Sequence, residues 1–202
     1  MSDDIIEETD TFRLIIEPEV YPEQPDYDGM GMILRMDGYR FEAVHVEKTP
    51  SLAGEFEQGW RRWGDMAMIE RWLRLFYDVV GFDYFDTQDA KYVCVVTQEE
   101  LETWGFSSTK AYELRTGRDN PADGVLRIWQ AYVEGECYSF VIQEKQRWLR
   151  LDGPNGTVDD LGDDRVVRES WETVEAIGGF YGYEDAEQSG REMFATYTEK
   201  DE

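Results

Sequence analysis

The chain is poor in the residues that most enzyme and metal chemistry requires. Its 202 residues include one histidine, two cysteines and only 20 Lys and Arg against 45 Asp and Glu. Any nucleophile–histidine–acid triad would have to use His45, and the alternation over 42–47 puts that residue on the polar side of a strand, where it reads as a solvated histidine. Cys94 and Cys137 each sit in an apolar run and read as reduced, buried thiols. Two cysteines make neither a disulfide framework nor a zinc site, and a single histidine leaves a transition metal short of ligands. No Gly-x-Gly-x-x-Gly follows a strand pattern, and there is no phosphate loop. The opening Met1-Ser2-Asp3-Asp4 lacks the basic and apolar regions of a signal peptide. The apolar runs fall short of the roughly 20 residues that a spanning helix needs. A cytoplasmic protein without cofactor or recognisable catalytic motif, and so not an enzyme, is the expectation.

What is present in excess is negative charge. The formal net charge is −25, while 41% hydrophobic and 14% aromatic residues still allow a sizeable core. Acidity is concentrated at the two ends. Residues 1–30 hold ten acids and one base, and residues 152–202 hold fifteen acids and four bases. Such a field repels nucleic-acid phosphate and anionic membranes. It attracts basic protein surfaces and steers association with them. The predicted partner is therefore a basic or DNA-binding protein, with no direct contact to nucleic acid or membrane.

Local patterns predict an α+β fold with a mainly antiparallel sheet. Residues 1–11 read as an acidic arm and 12–200 as one domain, with sub-lobes near 12–106 and 124–200. Strands are expected over 12–17, 32–36 and 39–46, the last two joined at Asp37-Gly38, a hairpin turn signal. Residues 51–64 give no clear pattern. Met66, Ile69, Leu73, Phe76 and Val80 recur at helical spacing, and Gly81 follows as a C-terminal stop, which predicts a central amphipathic helix over 66–80. A strand over 91–96 runs into Thr97-Gln98-Glu99-Glu100, a capping box that opens a short helix. Residues 107–123 read as a polar loop. Alternation over 125–134, then 137–144 and 148–151, predicts a three-stranded meander. A loop over 152–164, a strand over 166–177 and a C-terminal helix over 184–200 complete the reading.

Four ordered blocks carry a resemblance. They are Asp26-Tyr27-Asp28-Gly29-Met30-Gly31-Met32, Tyr92 to Thr97 with its capped helix, Gln130 to Ile142, and Gly178-Gly179-Phe180-Tyr181-Gly182 before a terminal helix. Together they resemble a family of small acidic, largely uncharacterised proteins encoded by bacteriophages and mobile elements. The resemblance implies a phage origin and an infected bacterial cell, and nothing about chemistry.

Two sets of residues are candidates for binding. The first is acidic: Asp26, Asp28, Asp159, Asp160, Asp163, Asp164, Glu184, Asp185 and Glu187. Within it, Asp159, Asp160, Asp163 and Asp164 are dense in oxygen but miss calcium-loop spacing, and they read as a solvated loop with weak cation affinity at most. The second set is Trp60, Arg61, Arg62, Trp63, Arg71 and Arg74. Arginines and tryptophans interleave there, as at binding hot spots or single-strand platforms, although the preferred reading is structural, with Trp72 packed and the arginines paired with Glu57, Glu70 and Asp78 at helical spacing. The leading functional expectation is an acidic protein-binding module, a DNA-mimic or antirestriction-like inhibitor of a basic host protein. The alternatives are a Mg-dependent enzyme or nucleotide-metabolism accessory, and a self-associating scaffold that forms a homodimer.

Overall fold

The computed structural model describes residues 4–25, 31–38, 40–45, 50–149 and 166–199. In chain order the elements begin with β1 (Asp4–Glu8), β2 (Phe12–Pro18), β3 (Met32–Asp37), β4 (Arg40–His45), α1 (Pro50–Trp63) and α2 (Met66–Phe76). There follow β5 (Val79–Asp86), β6 (Lys91–Thr97), α3 (Gln98–Thr103), α4 (Thr109–Thr116) and α5 (Pro121–Glu134). The chain closes with β7 (Cys137–Leu149), β8 (Val166–Tyr181) and α6 (Tyr183–Thr198). The fold is α+β with two four-stranded sheets, in the orders β1-β2-β7-β8 and β4-β3-β6-β5, and every pairing is antiparallel.

The chain forms two compact units. One is built from both ends, Met1–Glu23 with Glu134–Glu202; the other is the intervening Gln24–Val133. In the first unit, strand alternation turns Leu14, Ile16, Phe140 and Ile142 to one face of the sheet, where they bury against Ala186 and Phe194 of α6. Gly190 belongs to this contact. A Cβ there would lie 3.0 Å from Leu14 Cδ1 and 3.2 Å from Phe140 Cβ. The glycine that lowers helix propensity is thus what lets α6 approach the sheet.

In the second unit, one sheet face packs Met32, Leu34, Val93 and Val95 against Phe56 of α1 and Ile69 and Leu73 of α2. The other face packs Ile33, Cys94 and Val96 against Val125, Leu126 and Trp129 of α5. Both cysteines are free and buried, and burial pushes the Cys94 thiol well above its ordinary pKa. The capping box forms as its sequence requires. Thr97 Oγ1 accepts from the Glu100 amide, and the Glu100 carboxylate accepts from the Thr97 amide at 2.7 Å.

Several expectations are corrected. Residues 125–134, expected as the first strand of the meander, lie in helix α5. Ala122, Val125, Leu126 and Trp129 fall on one helical face, and Asn120 Oδ1 accepts from the Ala122 amide at the start. The three neighbouring antiparallel strands are instead β2, β7 and β8, with 148–149 continuing β7. The expected polar loop over 107–123 contains α4, opened by Ser108, whose side chain accepts from the Ala111 amide at 3.2 Å. The central helix stops at Phe76. Asp78 takes φ 50°, and Val79 to Gly81 belong to β5, so Gly81 is no helix stop. Residues 4–8, expected as an unpaired arm, pair with β2.

Candidate functional site

Most of the two acidic chain ends, residues 1–23 and 152–202, belong to one unit. That unit holds 26 acids and 8 bases, a net of −18; the other holds 19 and 12, a net of −7. Within the first unit, charge is sorted by face. On β1, Asp4 is exposed and shares the α6 side of the sheet with its register partner Ile16, whereas Glu8, opposite Arg13, lies on the other face; on α6, Glu184, Asp185 and Glu192 are exposed, and Glu199 at its cap is exposed too. Asp185, Glu192 and Glu199 recur every seven residues, which keeps them on one stripe at about 10.5 Å spacing. The one cation on these two elements is Arg191. It is clamped by Glu187 Oε1 at 2.8 Å and by the Glu7 carboxylate, tying α6 to the edge strand. Tyr183 lies in the same field, its hydroxyl pKa pushed up by burial and then by Asp4 and Glu187.

The opposite face of that sheet collects the cations. Arg13, Gln143 and Lys145 alternate away from α6. Arg13 stands 4.6 Å over the Trp171 ring and Lys145 stands 5.8 Å from it. Lys145 Nζ is 2.9 Å and Arg147 Nε 3.3 Å from the Glu169 carboxylate. The hydrogen bond from Lys145 is the main reason that carboxyl is held below the usual glutamate range. Its pairing therefore contributes stability above the unfolded pKa and loses it as pH falls through the lower folded value. We expect the Glu169 side-chain carboxyl to titrate, by NMR, below the ordinary value of about 4.3, and Lys145→Met to raise it toward that value. A midpoint at or above about 4.3 in the unaltered protein would contradict this pairing.

Of the acidic residues singled out from sequence, Glu184 and Asp185 lie in the first turn of α6, where carboxylates also complement the helix dipole. Glu187 is half-buried and committed to Arg191. Asp26, Asp28, Asp159, Asp160, Asp163 and Asp164 lie outside the described residues. Glu8 lies on the other face beside Arg13, while Asp4, Glu7, Glu192 and Glu199 complete the surface. Sequence reasoning missed these because only the pairing of β1 with β2 brings the N-terminal acids beside α6. Among the described residues, no group of three or more His, Cys, Asp or Glu is placed to hold a metal ion. Among them too, no helix is long and apolar enough to cross a membrane.

The arginine and tryptophan set lies on α1 and α2 in the other unit. Arg61 pairs with Glu57 at 2.6 Å and Arg74 with Glu70 at 2.9 Å, both one helical turn apart. Arg74 also donates to the Val80 carbonyl at 2.9 Å. Trp60, Trp63 and Trp72 are half-buried against the core. Trp63 and Trp72 meet edge to face, their centroids 5.3 Å apart, and Arg62 stands 5.2 Å over Trp63. Arg71 is exposed. Part of the set is thus structural, while Arg61, Arg62 and the flank of Trp60 remain at the surface. No family model, curated protein or solved structure matches the chain.

Proposed function

We propose that this protein is an acidic binding module that occupies the nucleic-acid-binding face of a basic protein and so keeps that protein off DNA. One observation carries the reading: both chain ends contribute to one unit, where Asp4 and Glu7 of β1 stand on the α6 side of the sheet with Glu184, Asp185, Glu187, Glu192 and Glu199, against Arg191 alone. The helix α6 and the edge strand β1, tied by Arg191, fix where these charges lie before encounter. Duplex DNA offers about one charge per 1.7 Å of axis, and a partner shaped for that row gains from any fixed anionic surface of matching extent. Neither nucleic acid nor an anionic membrane gains from it.

The test is direct binding to an immobilised histone-type basic protein at graded salt. The expected result is an affinity that falls at least tenfold between 0.05 and 0.5 M salt. Exposed charge pairs are largely screened at 1 M, where the Debye length is about 3 Å. Binding that persists unchanged at 1 M salt overturns the reading.

A further inference from the structure

The strongest unassigned feature lies in the less acidic unit, beside the β3–β4 turn. A cavity of about 490 Å³ opens between that turn and the last turns of α1, lined by Gly38, Arg40, Phe41, Glu57, Trp60, Arg61 and Gly64. Its size falls within the range of roughly 300–1,000 Å³ typical of small-molecule sites.

The lining divides into an aromatic floor and a cationic rim. Phe41 is half-buried and stacks on the fully buried Phe56 with centroids 5.9 Å apart. Trp60 is half-buried, and its carbonyl accepts from the Gly64 amide at 2.8 Å, which closes α1. Packing against the core below holds both rings, so they present preformed faces. Arg40 and Arg61 are exposed. Arg61 uses Nη2 toward Glu57, a contact that orients the guanidinium and leaves its other donors for a ligand. Arg40 has no ion-pair partner among the described residues.

A planar ring on the aromatic floor and an oxyanion between two guanidinium groups would satisfy both parts at once. The ligand's charge is bounded from above. The site lies at the C-terminal, negative end of α1, on a molecule of net charge −25. A polyanion meets that field along its whole length, whereas a compact anion meets Arg40, Arg61 and the Glu57 carboxylate that Arg61 already pairs.

We propose that this cavity binds a nucleoside monophosphate, with the base on Trp60 and Phe41 and the phosphate between Arg40 and Arg61. The site is separate from the acidic surface of the other unit, and its occupation does not depend on the reading given for that surface.

The test is an NMR titration of the full chain with AMP. It follows the Trp60 indole N–H and the Gly38 and Gly64 amides, with adenosine, inorganic phosphate and ATP as parallel ligands. Saturable shifts at these three positions with AMP are expected. Adenosine and phosphate should bind at least fivefold more weakly, because each supplies only half of the recognition. ATP should bind no more tightly than AMP, because its added charge opposes the field. Arg40→Ala, on an exposed edge-strand position, should weaken AMP at least fivefold while the remaining amide spectrum stays in place. The proposal is overturned if AMP leaves Trp60 unmoved at 5 mM, about the level where affinity becomes insignificant. It is equally overturned if adenosine matches AMP, if ATP outbinds it, or if Arg40→Ala changes nothing.

Discussion

Neutralising the acids of β1 and α6 with Asp4→Asn, Glu184→Gln, Asp185→Asn, Glu192→Gln and Glu199→Gln is expected to weaken binding to a basic protein by a factor of about 70. An exposed charge pair contributes about 0.5 kcal/mol, so five lost pairs amount to roughly 2.5 kcal/mol. The dependence of affinity on salt should flatten as well, since fewer charges remain to be screened. The control is an equal charge change on the other unit, Asp37→Asn, Asp89→Asn, Glu99→Gln, Glu102→Gln and Asp119→Asn, all at exposed positions. Both variants carry −20. If only net charge mattered they would bind alike; if the β1–α6 surface is the contact, the control keeps most of its affinity. Surface plasmon resonance at 0.1 M salt distinguishes the two, and equal losses would remove the case for a localised site.

The second large effect is on stability. Phe56 is fully buried and stacks between Phe41 and Phe82, with centroid separations of 5.9 and 6.4 Å. Removing the ring takes the apolar group out of the middle of the α1–sheet contact and leaves a cavity that helix and sheet cannot both close. Phe56→Ala is expected to cost about 3–5 kcal/mol. Against a total of about 5–15 kcal/mol for a natural domain, that is a large fraction. With a urea m-value of about 2 kcal/mol/M, the unfolding midpoint should fall by roughly 2 M. A shift under about 0.5 M would mean that the ring is not packed as described.

The parts of the fold that local chemistry determines were legible in the sequence. The Asp37-Gly38 turn, the Thr97–Glu100 capping box and the 3–4 spacing of Met66, Ile69 and Leu73 each act within a few residues, and each forms. Residues 125–134 show where pattern misleads. Their alternation of Val125, Arg127, Trp129 and Ala131 fits a strand, yet Ala122, Val125, Leu126 and Trp129 fit a helix equally, and Asn120-Pro121 was the start signal that decides between them. Over 51–64, Gly54 and Gly59 obscured a helix. Gly59 sits close to its neighbours, since a Cβ there would stand 3.2 Å from the rings of Trp63 and Trp72. Neither the convergence of the chain ends nor the Arg40–Trp60 cavity was legible, because each depends on which strands become neighbours.

The arrangement of the two units bears on how the chain is made. Arg13 and Gln143 bond across 130 residues of sequence, so β2 leaves the ribosome long before β7 exists to receive it. At about 5–20 residues per second, Leu14 and Ile16 wait roughly 6–26 s without their sheet neighbour, the time in which the whole of Gln24–Val133 is made. The nascent β1–β2 hairpin is then an apolar ribbon whose acids, at Asp4, Glu7, Glu8 and Glu17, flank its sticky centre. Like-charge repulsion between hairpins on neighbouring ribosomes would keep that centre from pairing with another copy until the protein's own last third arrives.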